Sequence, residues 1–286
     1  MRVPRLVGPL DLVQLTALMD RTTGRPEIRI GLIDGPVLLT HPDLANKNTQ
    51  EVPGKPKGTC ASAESTACLH GTFVAGMLCG RRGSAAPAIC PDCTLLVRPI
   101  FSETNRAKDD MPSAKPEELA EAIIDCVNAG ARVLNLSVAL AQPSPSGDAE
   151  LERALDYAAS RGTVSVAAAG NQGILGSSAI TRHRSVIPVA ACDLQGRPLS
   201  ESNLGGSIGR RGLLAPGAGI TSLGTNGEPH TLGGTSAAAP FVTGAIALLW
   251  SQFPGASPAE VRLAVTWAAP GRRRTIAPPM LDAWMA

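Results

Sequence analysis

The chain has 286 residues, 44% of them hydrophobic and 17% charged, with a formal net charge of +2. That length and apolar content allow one large domain with a full core rather than two small ones. Charges of both signs are scattered, and the densest basic runs, Arg81-Arg82 and Arg272-Arg273-Arg274, lack the interleaved aromatic residues on which bases stack, so no nucleic acid is expected as a partner.

The N-terminus carries Arg2 and Arg5, but Pro4, Pro9 and Asp11 interrupt the apolar run, and Leu12 to Met19 leads into Asp20-Arg21 where a signal peptide needs small residues. Residues 1–27 are read as a mature, unexported extension with a short helix over Leu10 to Met19, too short for a folded prodomain, ahead of a domain spanning 28–286. Ile28 to Ile33 is an apolar strand ending in Asp34-Gly35. A carboxylate there can hold an imidazole in one tautomer, although an Asp in that place is more often a turn former. Asn46 to Gly58 is polar and rich in Pro and Gly, the composition of a loop. His70-Gly71-Thr72-Phe73-Val74-Ala75-Gly76 reads as the opening of a small-residue helix that packs closely on a sheet and turns its first residue toward a cleft.

Leu95 to Ile100 is the next strand, and Pro116 to Ala129 is a helix with Leu119, Ala122, Ile123, Cys126 and Val127 on one face. After the strand Arg132 to Leu136 and a loop over Gln142 to Gly147, Asp148 to Ser160 repeats the helical spacing with Leu151, Ala154, Leu155 and Ala158. The strand Thr163 to Ala167 runs into Ala168-Ala169-Gly170-Asn171, a glycine turn that presents an amide side chain. Ser185 to Ala191 is a further strand, and Gly233-Gly234-Thr235-Ser236 leads into the apolar helix Phe241 to Trp250. The longest apolar stretch, Ala239 to Trp250, is far shorter than the roughly 20 residues a membrane span needs, so no membrane partner is expected. Ser257-Pro258-Ala259-Glu260 is a capping box that starts a helix to about Trp267. Short apolar strands alternating with amphipathic helices predict an α/β fold with a doubly wound, mostly parallel sheet covered by helices on both faces.

The polar residues at the strand ends and helix starts carry the chemistry. A serine hydroxyl scarcely ionises at neutral pH, so as a nucleophile it needs a base to take its proton and donors to hold the oxyanion that forms. Ser236 at a helix start, His70 as base, Asp34 as its orienting carboxylate and Asn171 as a donor supply that set, although each residue alone is as well explained by a cap or a turn. Their order along the chain, Asp, His, Asn, Ser, is the triad order of subtilisin and differs from those of chymotrypsin and the α/β-hydrolases.

On Asp34-Gly35-Pro36-Val37, His41-Pro42-Asp43-Leu44, His70-Gly71-Thr72 and Gly234-Thr235-Ser236, the sequence resembles the subtilase family from Ile28 to about Ala268. Leu32 to Val37, Val97-Arg98-Pro99-Ile100-Phe101-Ser102 and Leu214-Ala215-Pro216-Gly217 resemble the cyanobactin-type peptidases that process ribosomal peptide precursors. The resemblance implies a subtilisin-like fold and a serine endopeptidase with Asp34, His70 and Ser236 as triad and Asn171 in the oxyanion hole. It further implies an extended peptide or protein substrate lying along Ser137-Val138-Ala139, with Ala168-Ala169-Gly170 on the opposite wall of the first pocket. Ala139 stands where the family usually has glycine, and Phe73 and Phe241 stand where it commonly has histidine.

No cofactor or metal is expected: Gly80 to Pro87, where many subtilases hold calcium, offers no carboxylate. Peptide-cyclising relatives carry a helical insertion between Asp and His, whereas the 35 residues between Asp34 and His70 are rich in Pro and Gly without a helical period, so hydrolysis is expected over cyclisation. The expected work is cytoplasmic peptide processing. A general or regulatory intracellular subtilase is the alternative, with a macrocyclase or a catalytically silent peptide-binding module behind it. Seven cysteines suit no exported framework. The close pairs Cys60 with Cys68 and Cys90 with Cys93 are read as plain thiols, ahead of local disulfides and of zinc. His41, His183 and His230 are read as surface or turn residues.

Overall fold

The computed structural model describes residues 7–44, 48–103, 115–138, 145–267 and 275–286. Ala139 and Arg272-Arg273-Arg274 lie outside the described residues. In chain order the elements are α1 (Pro9–Leu12), α2 (Leu15–Met19), β1 (Arg29–Ile33), β2 (Thr49–Glu51), α3 (Thr66–Cys79), β3 (Thr94–Val97), α4 (Pro116–Asn128), β4 (Val133–Leu136), α5 (Pro145–Ser160), β5 (Val164–Ala168), α6 (Ala179–Arg182), β6 (Val186–Cys192), α7 (Gly206–Arg211), β7 (Leu213–Pro216), β8 (Ile220–Leu223), β9 (Pro229–Leu232), α8 (Thr235–Gln252) and α9 (Pro258–Thr266).

Seven strands form one sheet in the order β2-β3-β1-β4-β5-β6-β7, and every pairing in it is parallel. The expected doubly wound α/β architecture is therefore the observed one. From β1 the chain first builds outward through β2 and β3 and then crosses to β4 on the other side of β1. That reversal leaves a crevice above the carboxyl ends of β1 and β4, the place where open α/β sheets bind their ligands.

The strands are apolar on both sides because both faces are covered. Ile30, Leu32, Val97, Val133, Val166 and Val189 pack in one core cluster with α3 and α8, while Ile33, Leu96, Leu134, Leu136 and Ala167 pack in a second with α4 and α5. Helix α8 is buried on all sides from Ala237 to Ser251, as expected of a helix that is apolar all round. Gly31 lets α4 approach the sheet, since a Cβ there would lie 2.7 Å from Leu134 and 3.0 Å from Cys126.

Three expectations are corrected. The single helix over Leu10 to Met19 is two short ones, broken at Gln14, whose φ of 56° is left-handed. Val13, Leu15 and Leu18 of this segment are nonetheless buried in the main core. The polar stretch Asn46 to Gly58 contains β2, an edge strand whose side chains face water and so carry no apolar period. Helix α5 begins at Pro145, inside the loop expected over Gln142 to Gly147, whose first residues lie outside the described ones.

Candidate active site

Asp34 directly follows β1 and Ser137 directly follows β4, and the last residues of these strands, Ile33 and Leu136, are paired across the sheet. The two strand ends are therefore neighbours, about 4.8 Å apart. Asp34 is fully buried, and its Oδ1 accepts hydrogen bonds of 2.6 Å from both His70 Nδ1 and the Gly35 amide. Since an ionised carboxylate only accepts, Nδ1 carries the proton and the neutral ring keeps its lone pair on Nε2.

His70 does not open its helix, contrary to the expectation from the small-residue pattern. Ser65 caps α3 with a 3.4 Å hydrogen bond from the Cys68 amide, and His70 lies one turn in, on the side toward Asp34. Local sequence permits this approach: a Cβ on Gly35 would run into the Ala67 carbonyl, and one on Gly71 into the carbonyls of Gly35 and Pro36. Burial pulls the His70 imidazole down, but the charge of Asp34 and its hydrogen bond outweigh that pull and leave it above its ordinary value of 6.5. Asp34 Oδ2 has no hydrogen-bond partner among the described residues, so the buried carboxylate is held through Oδ1 by His70 and the Gly35 amide.

Ser236 is the second residue of α8, after Gly234, whose φ of 88° makes the sharp entry. Its hydroxyl, partly exposed, donates to the Ser137 carbonyl at 3.4 Å rather than to His70. Catalytic hydrogen bonds are often long or differently aimed in a free enzyme and tighten with substrate. Asn135, buried in β4, ties the region together by donating to Ser137 Oγ at 2.7 Å and accepting from Thr243 of α8 at 2.8 Å.

Asn171 projects from the turn after β5 toward the start of α8. Its Oδ1 accepts from the Thr235 amide at 2.8 Å and the Thr235 hydroxyl at 3.0 Å, and that hydroxyl in turn accepts from the Gly170 amide at 3.1 Å. With Oδ1 taken twice, the exposed side chain has only its Nδ2 donors left to offer beside Ser236. The structure thus brings Asp34 to His70, Asn171 to the residue before Ser236, and Ser236 to the strand end beside Asp34. Ser137, Val138, Ala168, Ala169 and Gly170 sit at the adjoining ends of β4 and β5, where Leu136 pairs with Ala167.

Sequence reasoning passed over Thr235 as the holder of Asn171, although its place next to Ser236 was a signal. It also passed over Asn203, which anchors the Asn171 turn from a distant loop and has no local signal. The plain-thiol reading fails for one pair: Cys60 and Cys68 form a disulfide, which pins the loop before α3 to the first turn of that helix. Their eight-residue separation in a loop was the available signal. Cys90 and Cys93 are free and buried. His41 and His183 are buried turn residues, each accepting the amide two residues on through Nδ1, and His230 lies in β9.

The model of the subtilase family matches residues 25–282. The chain is 34% identical over 248 residues to a thermophilic serine proteinase of Bacillus sp. (strain AK1), covering 86% of this chain and 57% of the length of that relative. Among solved structures, the protease domain of PatA superposes with a TM-score of 0.79 at 32% identity, covering 92% of this chain and 94% of that one. The prenylagaramide maturation protease PagA does so with a TM-score of 0.80 at 29% identity, over 95% of this chain and 96% of its own.

Proposed function

The chain belongs to the subtilase family, and we propose that it is a serine endopeptidase that removes a leader or tail from a ribosomal peptide precursor. The observation that carries the reading is the buried Asp34–His70 pair beside a partly exposed Ser236 at a helix start. In this mechanism Ser236 Oγ attacks the scissile carbonyl carbon while His70 Nε2 takes its proton. The carbonyl oxygen gains the negative charge and is held by Asn171 Nδ2 and the Ser236 amide, one of the first helix N–H groups that have no intrahelical partner. His70 then gives the proton to the leaving amine, the C–N bond breaks, and water repeats the cycle on the acyl-enzyme to release the acid and restore Ser236.

The processing side of the proposal rests on likeness to PatA and to the maturation protease PagA, each matched along nearly its whole chain. Hydrolysis rather than cyclisation is supported by the connection from Asp34 to Ser65, where the described residues hold one short strand and no helix. The test is digestion of leader-bearing synthetic precursor peptides and of folded proteins, read by mass spectrometry. A single cut yielding linear products is expected; indiscriminate digestion of folded proteins would favour a general subtilase, and dominant cyclic products would overturn hydrolysis.

A further inference from the structure

Asn203 lies in the loop between β6 and α7, 32 residues beyond Asn171 in sequence, yet its buried amide is fully engaged by the turn that carries Asn171. Asn203 Oδ1 accepts from the Gln172 amide at 3.1 Å and the Ile174 amide at 3.2 Å. Its Nδ2 donates to the Ala169 carbonyl at 3.2 Å and to Gln172 Oε1 at 2.6 Å. The Asn203 backbone amide closes the set by donating to the Gly170 carbonyl at 2.8 Å. The two acceptor bonds and two donor bonds agree on one orientation of the amide, and together they reach backbone on both sides of Asn171.

The turn itself is shaped for this contact. Gly170 has a φ of 103°, and a Cβ there would run into Asn203 Nδ2, so glycine serves both the left-handed backbone and the close approach of the amide. The neighbouring chain is zipped to the same loop by Gly173 N–H to Glu201 O at 2.8 Å and Leu204 N–H to Ile174 O at 3.1 Å. Asn171 is therefore held from two sides: Thr235 grips its side chain, and Asn203 grips the backbone that aims it.

We infer that Asn203 is a positioning residue for the oxyanion hole, acting through Asn171 and touching no substrate itself. The inference rests on the reading of Asn171 as an oxyanion donor. A transition-state donor misplaced by about 1 Å costs up to about 100-fold in rate, so the loss should fall on kcat. A merely structural residue would cost the same whether or not Asn171 is present, whereas one acting through Asn171 has nothing left to position once that side chain is gone.

The experiment is a double-mutant cycle of Asn203→Ala and Asn171→Ala on a peptide substrate, with kcat and KM measured separately. Asn203→Ala alone should lower kcat about 10- to 100-fold with KM within about threefold, and in the Asn171→Ala background it should cost less than about threefold more. Asn203→Ser brings no buried charge against the Ala169 carbonyl and Gln172 Oε1 and keeps one hydroxyl able to bond within the turn, so it should fall between wild type and Asn203→Ala and serve where the alanine variant does not fold. Equal losses in both backgrounds, or a loss carried by KM alone, would overturn the inference. Should Asn171→Ala itself leave kcat unchanged, the oxyanion reading fails first and this inference falls with it.

Discussion

At the scale of single residues, the chemistry turns on two groups with opposite demands. In the proposed mechanism the buried Asp34 holds the imidazole in place, and His70 must be neutral to accept a proton. The carboxylate keeps the imidazole above 6.5 against the pull of burial, so the free energy of the pair contributes fully to folding below pH 6.5 and is lost as pH rises through the folded-state value. Activity runs the other way, because only the neutral ring can take the Ser236 proton. The acid limb of kcat/KM should therefore have its midpoint above 6.5. Asp34→Asn removes the charge that raises the imidazole, leaving burial, so the limb should move to lower pH, and kcat should fall about 10⁴-fold, the loss measured for that change in a serine peptidase of another fold. A pH–rate profile unmoved by Asp34→Asn would mean that His70 is not the titrating base. For Asn171→Ala the expected loss in kcat is about 100- to 1000-fold, the magnitude established for the oxyanion-hole asparagine of subtilisin itself.

At the scale of elements, the helix that carries His70 is fixed at its start by the Cys60–Cys68 bridge. Cys60 is tied to β1's extension through its amide on the Val37 carbonyl at 3.2 Å, and Cys68 sits in the first turn of α3. Closing a loop of eight residues contributes about 2.5 kcal/mol on the loop-entropy estimate. Replacing both cysteines by serine should lower Tm by about 4 °C, and a reductant should do the same to wild type and nothing to the double variant. An unchanged Tm would show that the helix start is held by its other contacts. Elements were legible in the sequence where one physical force fixed them. Strands β1, β3, β4, β5 and β6 announced themselves as apolar runs, and α9 by its capping box, which is observed with Ser257 accepting from the Glu260 amide. The edge strand β2 and the β8–β9 hairpin did not, because β2 and β9 bury no side chain and each of these strands is only three or four residues long, too short to show a period.

At the scale of the whole molecule, the site exists because a parallel sheet changes its direction of growth between β1 and β4 and so opens a crevice at two adjacent strand ends. Asp34, Asn171 and Ser236, at strand ends or a helix start, and His70, one turn inside α3, were legible as candidates before any fold was known, from their local patterns and their order along the chain. Their supports were not: Thr235, Asn135 and Asn203 look like ordinary polar residues in sequence and acquire their roles only from contacts 65, 108 and 34 positions away. The position of His70 one turn inside α3, rather than at its start, was hidden for the same reason, as Ser65 caps the helix through a bond that the small-residue pattern does not encode. The proposed hydrolysis requires Ser236 to be an activated nucleophile. Its most direct test is labelling with a fluorophosphonate followed by peptide mapping: one adduct on Ser236 is expected in the wild type, with labelling lost in Ser236→Ala and in a His70→Ala variant that retains its fold. Folded wild-type protein that takes up no label, or that is labelled at another serine, would contradict it.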